Sequence, residues 1–361
     1  MQYASPEYSR REVNRAGLAL INPKTSPQEL ILALIVINNW RSSHNFPLRT
    51  IQSRLREKAK QIDSNSIVVR RIKRLSSIKS KLKRIKGLNL VQIQDIGGCR
   101  AIVKNIDALD ELVNVYKASR AGRGIKHTLF SVDDYVLEKP KVDGYRSVHL
   151  VYQYKSDKNK VYDNLKIEVQ IRTVLQHAWA TAVETIDTFT GQSLKSGDGK
   201  KRWTRFFAVI SSVIALKEKR PAIPNTSSDF TTLRNEIIHL EKQLGVVAKL
   251  EAFTTTLQYA EETNFGNESY YLLALDPATK KMRIRTFSSK DSNLASKAYL
   301  QLESQNIQGK QNVVLVSADS LDSLKLAYPN YYADTRLFIN ILKEILSGKS
   351  QLSLFEDIDF V

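Results

Sequence analysis

Polar side chains that could do chemistry alternate along one short segment, from Tyr145 to Tyr152. Tyr145, Ser147 and His149 fall on one face of a strand here, because strand side chains repeat every second residue. A strand packed on an apolar core would carry Val or Leu at such positions. The phenol, hydroxyl and imidazole therefore predict one wall of a binding site. The alternative is a half-solvated edge strand.

A second alternating segment, residues 165–173, carries a carboxylate, an amide and a guanidinium on one face: Glu168, Gln170 and Arg172. Isoleucine and valine occupy the positions between them, so the other face is expected in the core. If this strand pairs with the first one, the two polar faces form one floor.

Asp95 and Arg100 flank Gly97 and Gly98 at the entry to an apolar strand that begins at Cys99. The two glycines let the backbone approach another group closely. An Asp–Arg pair beside a strand is often only a salt bridge, so this pattern alone is weakly specific. Cys99 is expected to be a small buried residue.

The segment 68–86 is strongly basic, and its apolar residues follow the helical period, which predicts a helix. Arg71, Lys73 and Lys81 would lie on neighbouring or successive turns and could reach phosphates together. A merely solvated charged face is the alternative.

The charge is distributed unevenly over the 361 residues, whose net charge is +18. Residues 1–220 carry roughly +21 and residues 221–361 roughly −3. So basic a first half favours a polyanionic partner, either nucleotides or nucleic acid.

Several classes of protein are not expected from the composition. No apolar run approaches the roughly 20 residues that span a bilayer, and the start lacks a signal-peptide layout. The single cysteine excludes an internal disulfide framework, and the five scattered histidines lack zinc-ligand spacing. A cytoplasmic protein is therefore expected.

Five motifs, in order and at similar spacing, resemble the RelA/SpoT alarmone synthetase domain across residues 60–190. They are Arg71-x-Lys73 with Ser77-Ile78, Asp95-x-x-Gly98-x-Arg100, Asp134-Tyr135, Pro140-Lys141-x-x-Gly144-Tyr145-x-Ser147-x-His149 and Glu168-x-Gln170-Ile171-Arg172-Thr173. The helices up to about residue 220 resemble those of single-domain small synthetases. No His-Asp hydrolase half is recognised, so breakdown of the alarmone is not expected.

The resemblance implies Mg²⁺-dependent transfer of pyrophosphate from ATP to the ribose 3′-hydroxyl of GDP or GTP, giving (p)ppGpp. Such transfer depends on positioning and charge neutralisation. The catalytic residues implied are Asp95 and Glu168, which would hold the metal, and His149, which would meet phosphates. Glu168 could instead take the proton from the attacking hydroxyl. The resemblance further assigns Arg71, Lys73, Lys81 and Arg100 to ATP, and Lys141, Tyr145, Gln170 and Arg172 to the acceptor.

One departure concerns the acceptor loop. Three residues, Leu137-Glu138-Lys139, stand before Pro140 where the common pattern has two. The acceptor is therefore the least determined part of the function. Some members of the family pyrophosphorylate the 3′ end of tRNA or adenosine nucleotides, and this is the alternative activity. A catalytically inactive nucleotide-binding module is the second alternative, against which the retained charged residues argue.

The predicted fold class is α+β, with a mixed, nucleotidyltransferase-like sheet flanked by helices. Four parts are expected: a synthetase domain over residues 1–220, a linker and helical arm over 221–262, a small α+β module over 263–347 and a flexible tail over 348–361. The module is expected to contain a β-hairpin, and its role is not indicated by any motif.

The tail resembles the short peptide with which bacterial proteins bind the DNA-polymerase sliding clamp. Gln351, Leu352, Leu354 and Phe355 carry this resemblance, and apolar side chains of this kind could fill a pocket on a partner. A strand that docks on its own domain is the alternative. Related small synthetases are commonly homo-oligomers, which is a further expectation here.

Overall fold

The computed structural model describes residues 3–118, 126–190, 201–256, 258–262, 268–276, 278–306, 311–318, 321–328 and 335–349. The strands are β1 (Ile67–Ile72), β2 (Gly97–Val103), β3 (Thr128–Asp134), β4 (Val148–Gln153), β5 (Lys166–Thr173), β6 (Gln258–Glu262), β7 (Glu268–Asp276), β8 (Lys281–Ser288) and β9 (Asn312–Ser317).

The helices are α1 (Arg10–Ile21), α2 (Pro27–Ser43), α3 (Asn45–Ile62), α4 (Leu75–Arg84), α5 (Ile106–Ala118), α6 (Val174–Thr190), α7 (Lys201–Lys217), α8 (Phe230–Leu244), α9 (Val246–Thr256), α10 (Ser292–Gln305), α11 (Leu321–Ala327) and α12 (Arg336–Ser347). The strands of the described residues join in one sheet of order β3-β4-β5-β2-β1-β9-β7-β8-β6. The β2–β5 and β6–β8 pairs are parallel and the others antiparallel, so the predicted α+β class with a mixed sheet is confirmed.

The first two helices begin at capping boxes. At α1 the Ser9 side chain accepts from the backbone NH of Glu12, and the Glu12 carboxylate accepts from the backbone NH of Ser9. Ser26 and Glu29 form the same pair of hydrogen bonds at α2. The apolar side chains of α2 are only partly covered. Ile37 is fully buried, but Leu32 is 63% exposed, because α2 is apolar on more sides than its neighbours cover.

The prediction of one basic helix over residues 68–86 is wrong. Its first part is β1, which pairs antiparallel with β2, and only Leu75–Arg84 is helical. The β-branched run from Ile67 to Val69 favours a strand, and packing against the next sheet strand outweighs the apparent helical period. Arg71 and Lys73 therefore lie at the end of a strand, and Lys81 lies on a separate helix.

The pairing of β4 with β5 that the polar faces required is present. His149 lies opposite Gln170 and Val151 opposite Glu168. On the other side, β5 runs parallel to β2, with Glu168 beside Gly98 and Gln170 beside Arg100. The apolar face of β5, formed by Ile167, Val169 and Ile171, is fully buried as expected.

The C-terminal strands extend the same sheet. β9 pairs with β1 at Arg70 and Arg71, and the predicted hairpin is confirmed as β7 and β8. The predicted helical arm ends early, because residues 258–262 form β6 rather than helix. Helices α6, α7, α8 and α12 share a second apolar core that contains Phe206, Leu233 and Phe338.

Among the described residues, no helix combines the length and apolar character needed to cross a membrane. The clamp-like peptide, residues 351–355, lies outside the described residues. The four-part division of the chain also stays a prediction.

A buried ion pair joins α10 to the first half of the chain. Arg41 Nη1 lies 2.7 Å from Glu303 Oε2, with the two side chains 1% and 9% exposed. Glu303 also accepts from the backbone NH of Leu75 at 2.6 Å, at the start of α4, and from the Tyr299 hydroxyl. Arg41 in turn donates to the Tyr299 hydroxyl.

We expect Glu303→Ala to lower the free energy of unfolding by about 3–5 kcal/mol, because it leaves a buried guanidinium without its counter-charge. Glu57→Ala is the control, since Glu57 pairs with Arg54 on the surface and exposed pairs are worth about 0–1 kcal/mol. Urea unfolding followed by circular dichroism measures both. Equal losses in the two variants would contradict the assignment of Arg41–Glu303 as a strong link.

Candidate active site

Asp95 is held by two ammonium groups that come from different elements. Lys73 Nζ, just after β1, lies 2.5 Å from Asp95 Oδ2, and Lys81 Nζ, on α4, lies 2.9 Å from Oδ1. Burial alone would raise the pKa of this carboxyl, but the two lysines outweigh it and hold the pKa well below its usual range. Asp95 is therefore an anion.

Glu168 lies beside Asp95 and is bound mainly by its neighbours on the sheet. His149 Nδ1, on β4, lies 3.1 Å from Glu168 Oε1, and Gln170 Nε2 donates to Oε2 at 2.6 Å. Burial opposes ionisation, yet the His149 imidazole and the Gln170 amide keep the pKa of Glu168 lowered. Two carboxylates thus approach one cavity, which both of them line.

Tyr145 continues this chain of polar contacts. Its hydroxyl lies 2.8 Å from His149 Nε2 and accepts from Arg172 Nη2 at 2.7 Å. Burial raises the pKa of the phenol, but Arg172 and His149 outweigh it and the net shift is downward. Burial likewise opposes a charge on His149, but Tyr145 and Glu168 raise its pKa. The arrangement favours an imidazolium between a carboxylate and a phenol.

Lys141 and Tyr135 complete the side of the site next to Tyr145. Lys141 Nζ lies 3.9 Å from the Tyr135 ring centroid and 4.9 Å from that of Tyr145. Tyr135 also packs edge to face against His149. An aromatic corner with a cation over it is suited to a base and its phosphates.

Arg71 and Arg100 line the cavity between β1 and β2, together with Lys73 and the two carboxylates. Arg100 is covered on one side by the C-terminal half of the chain. Its guanidinium carbon lies 5.5 Å from the Tyr328 ring centroid, and its Nη1 donates to Ala327 O at 3.1 Å. His177 Nε2, on α6, lies 3.0 Å from Leu326 O. The cavity that remains measures about 30 Å³, too little for a nucleotide base.

The loop that carries Tyr145 packs against α7. Gly144 has a φ of +87°, and a Cβ there would lie 3.0 Å from Ala208 Cα, so a side chain is excluded. Ser211 Oγ on α7 donates to Gly144 O at 2.6 Å. The buried Arg146 donates to Val136 O at 2.6 Å and to Pro221 O at 3.1 Å.

The structure thus brings every predicted nucleotide-site residue to one region, by direct contact or through the shared cavity. The assignment of Ser147 to the site wall is wrong. Ser147 is fully buried and donates to Ile171 O, because it precedes β4 and points into the sheet. Sequence reasoning missed the roles of Tyr328, Ser211 and Arg146. Their contacts with Arg100, Gly144 and Pro221 join residues that are 228, 67 and 75 positions apart, and local patterns do not reveal them.

The carboxylates of Asp95 and Glu168 are suitable ligands for the Mg²⁺ that the resemblance implies. Asp95 and Glu168 are ionised carboxylates on one cavity, and Mg²⁺ typically binds one or two protein carboxylates together with water and substrate phosphates. Among the described residues, no group of three or more acidic, histidine or cysteine side chains forms an all-protein cage.

Comparison with known proteins identifies this part of the chain. Residues 70–187 match the family described as "Region found in RelA / SpoT proteins". The resemblance predicted from the motifs is confirmed for these residues.

Two curated relatives from Bacillus subtilis (strain 168) are similar over this region. GTP pyrophosphokinase YwaC is 35% identical over 117 residues, which are 31% of this chain and 52% of the relative. GTP pyrophosphokinase YjbM is 31% identical over 123 residues, 33% of this chain and 55% of the relative. The chain therefore spans about half the length of the curated relatives that it matches.

Solved structures include similar chains from the same organism. Small alarmone synthetase 2 is 26% identical, with 51% of this chain and 94% of that chain covered and a TM-score of 0.42. Small alarmone synthetase 1 bound to its product pppGpp is 25% identical, with 48% and 90% covered and a TM-score of 0.38.

The resemblance implies an acceptor at Tyr145 and ATP at Arg71 and Arg100. On that basis we expect Ser211→Ala to raise the KM for the acceptor about 3- to 10-fold and to leave the KM for ATP unchanged, because it removes one hydrogen bond to the loop that carries Tyr145. Ser212→Ala is the matched control, since this neighbouring buried serine bonds to Thr226 and Ile223 instead. Steady-state kinetics measure the effect. The same change in both variants, or a shift confined to ATP, would count against this role.

We expect Tyr328→Ala to tighten binding of a non-hydrolysable ATP analogue by at least about tenfold, because the covered state no longer competes for Arg100. Tyr270→Ala is the control: Tyr270 lies over Arg70 at the same 5.5 Å, outside this cavity. Isothermal titration calorimetry gives both dissociation constants. Unchanged affinity in Tyr328→Ala would show that this ring does not obstruct binding of the ATP analogue.

Proposed function

We propose that this chain, whose residues 70–187 are a RelA/SpoT region, is an Mg²⁺-dependent ATP:nucleotide 3′-pyrophosphotransferase that makes (p)ppGpp from ATP and GDP or GTP. The observation that carries the proposal is the meeting of two carboxylates, Asp95 and Glu168, with cations on one side and the Tyr145 aromatic corner on the other. Pyrophosphoryl transfer needs these parts and little covalent chemistry.

On the donor side, Arg71 and Arg100 take the adenine, since guanidinium planes stack on π faces. Lys73 and Lys81 face the phosphates. In the structure both lysines are paired with Asp95, so they neutralise the same carboxylate that would bind the metal. Bound phosphates would draw the two ammonium groups from Asp95, which then becomes available to the metal.

On the acceptor side, Tyr145 is the platform for the base, and Lys141 and Arg172 lie against its ring to meet phosphates. Gln170 fixes the orientation of Glu168 through its amide. Glu168 is placed to take the proton from the attacking 3′-hydroxyl, and the His149 imidazolium keeps it ionised and offers a charge to phosphate oxygens.

Asp95 would hold the Mg²⁺, either with Glu168 as a second ligand or with Glu168 acting instead as the base described above, and the bound metal would supply charge neutralisation for the transferred group. Because Tyr328 lies over Arg100, the donor side has to open before ATP binds. Residues 326–328 therefore form a cover over the donor side, which we place in the same functional unit as the synthetase.

An RNA acceptor is the second candidate, and the acceptor loop favours it. Leu137 and Val142 are exposed beside the Tyr145 corner, and Lys139 is exposed between them. Apolar and cationic side chains around an aromatic platform suit the unstacked end of an RNA strand such as a tRNA 3′ end. The basic first half of the chain agrees with either acceptor.

We further propose clamp binding through Gln351, Leu352, Leu354 and Phe355, and a homo-oligomeric assembly. Neither is needed for the chemistry described above. A cytoplasmic location agrees with both, and with nucleotide substrates.

The decisive experiment offers γ-labelled ATP and Mg²⁺ with GDP, GTP, ATP or tRNA separately. Label on GDP or GTP is expected. Glu168→Gln and Tyr145→Ala should each lower the rate at least about 100-fold, because each removes a group that positions or stabilises the reacting atoms. Glu57→Gln, a surface carboxylate, is the control and should react normally.

Label on tRNA alone would replace the first acceptor by the second. Label on no acceptor, also with Tyr328→Ala to open the donor side, would overturn the enzymatic proposal and leave a nucleotide-binding module. Normal activity in both Glu168→Gln and Tyr145→Ala would show that the roles assigned here are wrong.

A further inference from the structure

A second cavity, of about 560 Å³, lies away from the candidate active site. It is formed by one face of α3, the end of α5, the residues just before β3, and the end of β4 with the segment that follows it. No predicted nucleotide-site residue lines it. At about 3.3 Å per residue along a strand, Tyr154 on its wall is about 17 Å from His149.

Aromatic side chains form the floor of this cavity. The His127 imidazole stacks on the Tyr154 ring, with centroids 4.7 Å apart and 29° between the planes. His127 is half-buried and lines the cavity, and Tyr154 stacks on one face of its ring, which leaves the other face for a ligand. Burial lowers the pKa of His127, and its Nδ1 accepts from the Lys155 backbone NH. The neutral ring therefore carries its proton on Nε2, where it can donate to a ligand.

The rim of the cavity is cationic, and its cations are paired only with exposed side chains. Arg54, Lys126, Lys155 and Lys158 stand against two carboxylates, Glu57 and Asp157. Arg54 donates to Glu57 at 2.9 and 3.0 Å, Lys126 pairs with Asp157, and Lys155 Nζ donates to Asn164. Exposed pairs of this kind contribute about 0–1 kcal/mol, so a phosphate could displace the partners at little cost.

Tyr116 contributes a buried hydroxyl to the wall of the cavity. Its side chain lines the cavity and is 1% exposed, and its hydroxyl has no hydrogen-bond partner among the described residues. Burial raises the pKa of this phenol, so the hydroxyl stays neutral and can donate. A buried hydroxyl without a partner is unfavourable, and a bound polar atom would satisfy it.

We propose that this cavity is a second ligand site, which binds a nucleoside monophosphate or a closely similar aromatic phosphate ester. The planar ring lies on the open face of His127, the phosphate meets Lys126 and Lys155, and the Tyr116 hydroxyl bonds to a polar atom of the ring. The volume lies within the range of small-molecule pockets. The proposal does not depend on the chemistry at Glu168.

The test uses AMP and GMP, with inorganic phosphate as the third probe, in calorimetric titrations of the full chain. The background variant Tyr145→Ala, Arg71→Ala weakens both nucleotide sides of the candidate active site. A remaining binding event is expected there. Adding His127→Ala or Lys155→Ala should weaken it at least about tenfold, whereas Lys160→Ala, an exposed lysine just outside the lining, should leave it unchanged.

Tyr116→Phe separates a ligand contact from a structural role. It should lower the nucleotide affinity about 3- to 10-fold without lowering the melting temperature of the free chain, because the hydroxyl has no partner to lose. Binding that is unaffected by all three substitutions would overturn the proposal. So would inorganic phosphate binding as tightly as AMP and GMP, since the ring would then contribute nothing, or the absence of any nucleotide binding to the background variant.

Discussion

The position of β5 between β2 and β4 is the constraint on which the candidate active site depends. β5 is the strand that carries Glu168, and its two neighbours bring Arg100 and His149 to either side of it. Because strand side chains alternate, a slip of one residue would turn Glu168 into the core and Ile167 toward the cavity. The three apolar residues of β5 are fully buried, so such a slip would be very costly. Core packing therefore determines that Glu168 faces the cavity.

The buried negative charges are the second constraint, and each carboxylate is compensated by neighbouring cations. Asp95 is neutralised by Lys73 and Lys81, and Glu168 by His149, so neither carboxylate is buried without a partner. Each pairing joins separate elements: a strand end and a helix around Asp95, and two neighbouring strands around Glu168. These contacts hold the site in its charged state before any ligand binds. They also leave a set of cations that anionic ligands can recruit.

The C-terminal half of the chain belongs physically to this site. β9 continues the sheet next to β1, and Glu303 binds both Arg41 and the start of the helix that carries Lys81. The same half places Tyr328 over Arg100. Glu303, which binds the first half of the chain, lies on α10, whereas Tyr328, which covers Arg100, directly follows α11. This arrangement would allow the cavity at Arg100 to open while the contact at Glu303 stays in place.

Local patterns were sufficient for much of this structure. The alternation in residues 165–173 and the hairpin of β7 and β8 follow from neighbouring residues alone, and the RelA/SpoT motifs identified the region that comparison confirms. The same local reasoning failed for β1, where a basic segment with a helical period became a strand because a sheet neighbour was available to pair with it.

The amino-acid sequence by itself therefore determined which residue types the site contains and the order in which they occur. Only the tertiary structure decided how they are combined. The pairing of Asp95 with Lys81, the support of Gly144 by Ser211 and the cover of Tyr328 over Arg100 join residues that are 14, 67 and 228 positions apart. Such contacts arise from the packing of whole elements, and no local pattern encodes them.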